Sequence, residues 1–295
     1  MTRAARRCAR VGLAALAALA TVVCAAKNPF QFSSAVYHNS PASPVVAVPA
    51  GDFLMGSTSA GPFVDEQPQR TVYLDAYAIE VTETTNVQYR ACVYAGPCID
   101  PLPSGPGGQN GYYTNPSYDD YPVVDVTWNM ADQYCRWRGR RLPTEAEWEK
   151  AARGAADDRD YPWGWAEPTC DLADVANPLA DSLAPDARVH ETCYAFPVGV
   201  ESYAASASPY GALNMTGNVA EWVADFYADD YYDAAAWPGN GVNPTGPPTG
   251  DEKVVRGGSY ADTAIYTRVE YRDHHPPGAT NITIGFRCAQ DGSGR

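Results

Sequence analysis

The sequence predicts a loop-rich globular fold of short strands and short helices. Hydrophobic residues make up 45% of the 295, enough for a core, while 25 Gly and 25 Pro interrupt any long element. Twenty Tyr and seven Trp against 19% charged residues point to an aromatic interior rather than to long solvated helices. The third observation is the stretch Arg256 to Cys288. Strand-like ends, Val254-Val255-Arg256 and Ile282-Thr283-Ile284, flank a long polar connection carrying Pro276-Pro277. Gly257-Gly258 permits a backbone conformation or close approach that Cβ-bearing residues resist.

The net charge of −14 and a pI of about 4.6 offer no basic patch for nucleic acid. An acidic surface suits solubility and hard cations. No internal repeat and no GxSxG, Walker or HExxH motif is present.

The N-terminus reads as an export signal over 1–26. Arg3, Arg6, Arg7 and Arg10 precede an apolar run, Val11 to Val23, too short to span a bilayer. Two exits are open: cleavage near Cys24-Ala25-Ala26, or a lipobox, Thr21-Val22-Val23-Cys24, with Cys24 lipidated. Either places the mature chain outside the cytoplasm, in the periplasm, the outer envelope or the medium. Loss of the four arginines takes the charge from −14 to −18. Residues 27–44 are Ser/Pro/Ala-rich and read as a tether. A domain follows over 45–290, then a tail, 291–295.

Val45 to Gly56 reads as a strand, a turn at Pro49-Ala50-Gly51 and a second strand. Arg70 to Ile79 alternates as a strand, with Val72, Leu74 and Ala76 on one face. Thr84-Thr85 caps a helix toward Tyr94 that Gly96-Pro97 ends. Val123 to Val126 reads as a short buried strand. Thr127 or Asn129 caps a helix through Arg138, and Gly139 ends it. Thr144 and Glu147 form a capping box for a helix carrying Trp148, Ala151 and Ala152, ended by Gly154. Tyr161 to Gly164 is a turn, and Thr169 to Val200 is irregular. Asn214 to Trp222 reads as a turn at the mouth of a helix-like segment, where Asn, Gly and Glu could aim oxygens at a hard cation. His274-His275 beside Asp273 is the one cluster of histidine and carboxylate, but adjacent residues point opposite ways, so a solvated loop is expected.

Six cysteines follow the leader: Cys92, Cys98, Cys135, Cys170, Cys193 and Cys288. An even number in an exported chain suggests disulfides, with fifteen pairings open. Cys92 and Cys98 bracket a Gly-Pro turn and are expected to pair. No CxxC supports zinc.

Nine motifs occur in order: Gly51-Asp52-Phe53-Leu54-Met55-Gly56-Ser57; Glu83-Thr84-Thr85-Asn86; Pro122-Val123-Val124; Thr127-Trp128; Arg141-Leu142-Pro143-Thr144-Glu145-Ala146-Glu147-Trp148-Glu149; Tyr161-Pro162-Trp163-Gly164; Gly217-Asn218-Val219-Ala220-Glu221-Trp222; Arg256-Gly257-Gly258-Ser259-Tyr260; and Gly285-Phe286-Arg287-Cys288. Together they resemble the formylglycine-generating enzyme, or sulfatase-modifying factor, domain, over about Val45 to Gln290. The resemblance implies an irregular α+β fold of the C-type-lectin-like kind, often holding calcium. It carries calcium ligands onto the Asn214 and Glu221 side chains and the backbone at Met215, Gly217 and Val219. A second site falls at Asp174 and Val175. It also implies a Cys135–Cys288 disulfide, which leaves Cys170–Cys193.

Oxidase members of that family convert a client sulfatase cysteine to formylglycine with copper(I) and oxygen. Two cysteines between the Arg-Gly-Gly-Ser and Gly-Phe-Arg motifs hold the copper, as soft thiolates must. Here the interval has none. The positions fall near Asp262 and Thr267, or, aligned from Arg272, near Ala264 for the second. Ala220 stands where oxidase members commonly carry Trp, and Ser259 is retained. The expectation is therefore an exported accessory or binding protein with calcium and without copper. Its ligand would be a protein or a glycan, with membrane contact only through a lipid. The alternative is a formylglycine-generating or other metal-dependent oxidase acting on a protein such as a sulfatase.

Overall fold

A computed structural model describes residues 41–58, 63–102, 105–106, 111–176, 193–194, 196–233, 237 and 241–292. The leader with Cys24, most of the tether and residues 293–295 lie outside the described residues. Among those described, no helix is long and apolar enough to cross a membrane.

The chain runs β1 (Val45–Val48), β2 (Gly51–Met55), β3 (Arg70–Leu74), β4 (Tyr77–Glu80), α1 (Asn86–Ala95), α2 (Trp128–Trp137), α3 (Glu145–Arg153), β5 (Ala220–Phe226), β6 (Lys253–Arg256), β7 (Asp273–His275), β8 (Ile284–Gly285) and β9 (Ala289–Asp291). Three small sheets form, ordered β1-β4-β9, β2-β3 and β7-β6-β5-β8. All pairings are antiparallel except β5 with β8. Connections between the helices and sheets are long and irregular, as the glycine and proline content requires.

Each helix starts on a threonine that satisfies otherwise orphaned amides. The Thr85 hydroxyl accepts from the Gln88 amide and Gln88 reciprocates, while Thr127 accepts from the Met130 amide. Thr144 and Glu147 close the capping box of α3. Gly96 and Gly139 then end α1 and α2 in left-handed conformations.

Four expectations change. The segment Arg70 to Ile79 is two strands, because the chain turns at Asp75-Ala76 and β3 and β4 join different sheets. Ala76 is consequently exposed. Val123, Val124 and Val126 are buried but form no strand. Asp125 between them sits at φ 59°, which breaks the extended run. The segment after Gly217 is the strand β5, not a helix. It is central, paired on both edges and buried on both faces, so its sequence shows no period of two. His274 and His275 lie on the edge strand β7, hydrogen-bonded to β6, rather than in a solvated loop.

Two large hydrophobic clusters form most of the core, beside a small one of Tyr112, Val124 and Val219. One packs Phe53, Val72, Leu74 and Ile79 against Trp148, Ala151, Val223 and Val254. The other packs Tyr89, Val126, Tyr134 and Leu142 against Trp222 and Phe286. Burying such side chains contributes roughly 1.5–3 kcal/mol each before conformational entropy is counted. Disulfides join Cys92–Cys98, Cys135–Cys288 and Cys170–Cys193. The second ties α2 to the start of β9.

Candidate metal-binding site

The segment from Asn214 to Glu221 crosses the molecule's interior. Asn214 and Asn218 both adopt left-handed backbone conformations, at φ 53° and 59°, which asparagine tolerates better than most residues. Gly217, at φ 76°, allows a close backbone approach. A Cβ there would lie 2.2 Å from the Asp174 carbonyl oxygen. The Asn218 amide donates to that same carbonyl at 2.8 Å. The two candidate calcium segments, 214–221 and 174–175, therefore touch through their backbones.

Their side chains differ in what they have left to give. Glu221 is fully buried, and Arg287 grips both of its oxygens, Nη2 to Oε1 at 2.6 Å and Nε to Oε2 at 2.7 Å. The Trp148 indole adds a third donor to Oε2 at 2.9 Å. Glu221 is thus a paired strand carboxylate, and Oε1 keeps one lone pair. Asn214 donates through Nδ2 to Glu83 and to the Val200 carbonyl, both at 2.9 Å. Its Oδ1 is buried and has no hydrogen-bond partner among the described residues. Such an acceptor costs free energy unless something satisfies it.

Asp174 is the sharper case. It is fully buried, and neither carboxylate oxygen has a hydrogen-bond partner among the described residues. Burial pushes its carboxyl up to about 7; the Tyr194 amide, which approaches the carboxylate without completing a hydrogen bond, acts weakly the other way. The Tyr203 hydroxyl, which feels the Asp174 charge, is also buried without a partner among the described residues. A carboxylate kept from water with two open oxygens fits a hard cation. On this test the open oxygens of Asp174 are of the type calcium takes, and Asn214 Oδ1 is such an oxygen in the other candidate segment.

Sequence reasoning named no role for Glu83, Asn218 or Arg287. Glu83 sits between the two asparagines, accepting from Asn218 Nδ2 at 2.7 Å as well as from Asn214. Burial raises its carboxyl to about 7, opposed by Arg287 and reinforced by Glu221. Arg287 also donates to the carbonyls of Glu80, Val81 and Leu213, which ties the segment to the end of β4. All three residues lie in motifs visible in the sequence. What hid their roles was the sequence distance across which they meet.

Ser259 and the positions near it occupy the turn after β6. Gly257 and Gly258 lie at φ 92° and 60°, and a Cβ on Gly258 would lie 2.5 Å from the Tyr266 carbonyl oxygen. Ser259 Oγ donates to Asp262 Oδ2 at 2.6 Å, and its amide donates to the same oxygen at 2.9 Å. Burial raises the Asp262 carboxyl against those two bonds. Thr267 is fully buried and its hydroxyl donates to the Ala264 carbonyl at 3.0 Å.

A family model described as the sulfatase-modifying factor enzyme 1-like domain matches residues 32–292. The chain belongs to this sulfatase-modifying factor family. The formylglycine-generating enzyme of Thermomonospora curvata is 32% identical, over 84% of this chain and 93% of its own length. The serine/threonine-protein kinase pkn1 of Chlamydia caviae is 33% identical, over 83% of this chain but 38% of its own. Among solved structures, PvdO from Pseudomonas aeruginosa aligns with a TM-score of 0.65 and 26% identity, over 84% of this chain and 94% of that one. The irregular α+β architecture is the C-type-lectin-like fold of this family.

Within that family frame, the histidine pair separates into two local contacts. His274 Nδ1 lies 2.6 Å from Glu252 Oε2 and its ring stacks on Tyr227, while His275 Nε2 lies 3.4 Å from Asp273. Among the described residues, no group of three or more His, Cys, Asp or Glu could hold a metal. A calcium site would therefore draw on carbonyls and amide oxygens beside its carboxylate.

Proposed function

We propose that this chain is an exported member of the family that binds a partner rather than oxidising one. A single observation carries the reading: residues 257–287 contain no cysteine, and all six cysteines of the domain are joined in disulfides. No thiolate is left for copper(I), and the equivalent positions fall near Asp262 and near Thr267 or Ala264, none of which can hold it. Calcium, held at Asp174 with the Val175 carbonyl and at Asn214 with the carbonyls of Met215, Gly217 and Val219, is a structural ion in this reading. It would neutralise the buried carboxylates and fix the segment beneath the Ser259 turn. The partner is a protein or a glycan, and a cavity of about 230 Å³ lined by Leu102, Tyr112, Tyr113 and Val124 offers it an aromatic wall.

The deciding experiment offers the mature protein a Cys-x-Pro-x-Arg peptide with copper(I) and oxygen, and follows the thiol by mass spectrometry. The expected outcome is an unchanged peptide. Conversion to formylglycine would establish the oxidase instead. Export has its own test. With Cys24 lipidated, Cys24→Ser should release the protein from the membrane fraction or block processing. A wild-type chain starting at Lys27 without lipid removes the anchor from the proposal.

A further inference from the structure

Strand β7 is fastened by two histidines that the proposed binding role does not use. Its three residues, Asp273–His275, pair with Val255, Val254 and Lys253 of β6 at the open edge of the sheet. All three are half-buried. So short an edge strand opens at small cost, because it buries little and its backbone pairs lie near solvent. Each ring adds an ionic contact. His274 Nδ1 lies 2.6 Å from Glu252 Oε2, just before β6, and its ring stacks on Tyr227 with centroids 3.9 Å apart. His275 Nε2 lies 3.4 Å from Asp273 Oδ2, and its ring meets Trp222 edge-on. Residues two apart share a strand face, so the extended conformation brings this second pair together. Beyond β7, the Pro277 carbonyl accepts the Trp128 amide at the start of α2, and the Asn281 carbonyl accepts the Asp125 amide.

We infer that β7 is a histidine-dependent strand lock: with its two rings protonated it holds residues 273–281 closed, and it loosens as rising pH removes their protons. The contacts set the direction. An imidazolium facing a carboxylate is attracted to it, and the neutral ring in the same place is not. His274 faces Glu252, and Tyr227 beneath it donates to Asp65 Oδ2 at 3.0 Å. His275 faces Asp273 and also feels Glu252. From neighbouring segments, Asp262 and the Tyr271 hydroxyl face Asp273. The cations nearby are Arg272, 4.8 Å from the Tyr227 ring, and Lys253, across β6 from His275. Both are already engaged, Arg272 by Glu145 at 2.7 Å and Lys253 by the Ala224 carbonyl at 2.7 Å. The carboxylates therefore dominate, and they favour charged rings.

Both groups of the second pair titrate as the contacts require. The hydrogen bond to Asp273, helped by the charges of Asp273 and Glu252, raises His275 above the ordinary 6.5 against burial. Burial would raise Asp273, but its bonds to His275 and to the His274 amide, with the charge of both rings, hold it below the ordinary 3.8. In the open strand each returns toward its ordinary value. The histidine share of the closed form's advantage is complete below about pH 6.5 and is lost as pH rises through the raised His275 value. The aspartate share is present above about pH 3.8 and is lost as pH falls through the lowered Asp273 value. Each pair is about one-third exposed, so the lock is gentle. Asp125, joined to Asn281, lines the cavity offered to a partner, so loosening reaches that wall. That last step rests on the binding reading, whereas the lock does not.

Amide hydrogen exchange, corrected for the intrinsic pH dependence, tests the lock without any ligand. Between pH 6 and pH 8 the opening constant of residues 273–281 should rise about two- to fivefold for each pair, the range of half-exposed ion pairs. Protection in α1 should stay constant. Salt at about 1 M should remove most of the rise by screening the pairs. The double variant His274→Gln, His275→Gln keeps hydrogen-bonding side chains without a titrating ring and should show no rise. Equal wild-type protection of 273–281 at the two pH values overturns the lock. So does a rise that persists in the double variant, and so does a loss shared equally by α1, which would signal global unfolding. A pH-dependent β7 in a protein whose cavity takes no partner leaves the lock standing and removes only its reach to the cavity.

Discussion

Helix α3 looks onto two buried polar regions that handle charge in opposite ways. On one side Arg256 contacts Glu145 at 3.1 Å and Glu149 at 2.5 Å, while Arg272 donates to Glu145 at 2.7 Å and Arg153 reaches Glu270. The Arg256 guanidinium also donates to the Val269 and Glu270 carbonyls. Burial alone would raise the Glu145 carboxyl, but Arg272 and Arg256 outweigh it and hold it below its usual range. On the other side, across Trp148, Arg287 satisfies Glu221 while Asp174 and Asn214 Oδ1 stay open. The first region pairs all of its carboxylates and leaves open only donors, the Nε atoms of Arg153 and Arg256, among the described residues, and it reads as structure. The second leaves open acceptors, the Asp174 carboxylate oxygens and Asn214 Oδ1, among the described residues, which is why the proposed calcium is assigned there.

The largest effect tests the staple beside the second region. Cys288 follows Arg287 directly, and its bond to Cys135 closes a separation of 153 residues. Replacing both cysteines by alanine should cost about 4–5 kcal/mol in the chain-entropy model, read from denaturant midpoints. A loss under about 1 kcal/mol would mean that the ion pairs alone fix Arg287.

The ionic side comes next. Arg256→Leu leaves Glu145 and Glu149 short of a fully buried partner and should destabilise by about 3–5 kcal/mol. Glu221→Ala should cost a similar amount by stranding Arg287, so it cannot serve as a clean probe of calcium. Asp174→Asn is the clean probe. In chelator above pH 7 it should match or exceed wild-type stability, because it removes a buried charge whose carboxyl lies near 7. That advantage should fade as pH falls from about 7 toward the ordinary carboxyl value, where the wild-type Asp174 is itself neutral. If Asp174→Asn were strongly destabilising in chelator, the carboxylate would belong with the first region instead.

Calcium itself should act more gently. At a hundredfold excess over its dissociation constant it stabilises the native state by about 2.7 kcal/mol. Wild-type melting temperature should rise in calcium relative to chelator, and Asp174→Asn should lose most of that rise. Identical wild-type melts in calcium and chelator would dissolve the contrast between the two regions.

Much of this was legible in the sequence, and the physical reason is locality. Caps at Thr85, Thr127 and Thr144, and stops at Gly96, Gly139 and Gly154, depend on residues within a turn of each other. The motif order identified the family and its fold. What escaped depends on partners far apart in the chain. Strand β5 has helix-like composition, Ala220-Glu221-Trp222-Val223-Ala224, and is extended only because β6 and β8 flank it. Glu221 had the right residue type for calcium, yet its strongest contact is an arginine 66 positions away. The Glu66–Arg268 ion pair, 202 positions apart, had no local signature at all.

The smallest expected effect isolates burial from distance. Arg136 lies 2.7 Å from Asp132 on the exposed face of α2, the same separation as Arg272 from Glu145 inside the core. Arg136 has 73% of its side chain exposed, while Arg272 is wholly buried. Water already solvates the exposed pair, salt screens it, and fixing two mobile side chains costs entropy. The buried pair has no such alternative, so losing one partner strands a charge. Arg136→Gln should leave the melting curve unchanged within error at physiological ionic strength. Arg272→Met should lower it by an amount comparable to Arg256→Leu. Should the Arg136 substitution prove as damaging as the Arg272 one, geometry rather than desolvation would govern these ion pairs, and the division between the two regions would lose its physical basis.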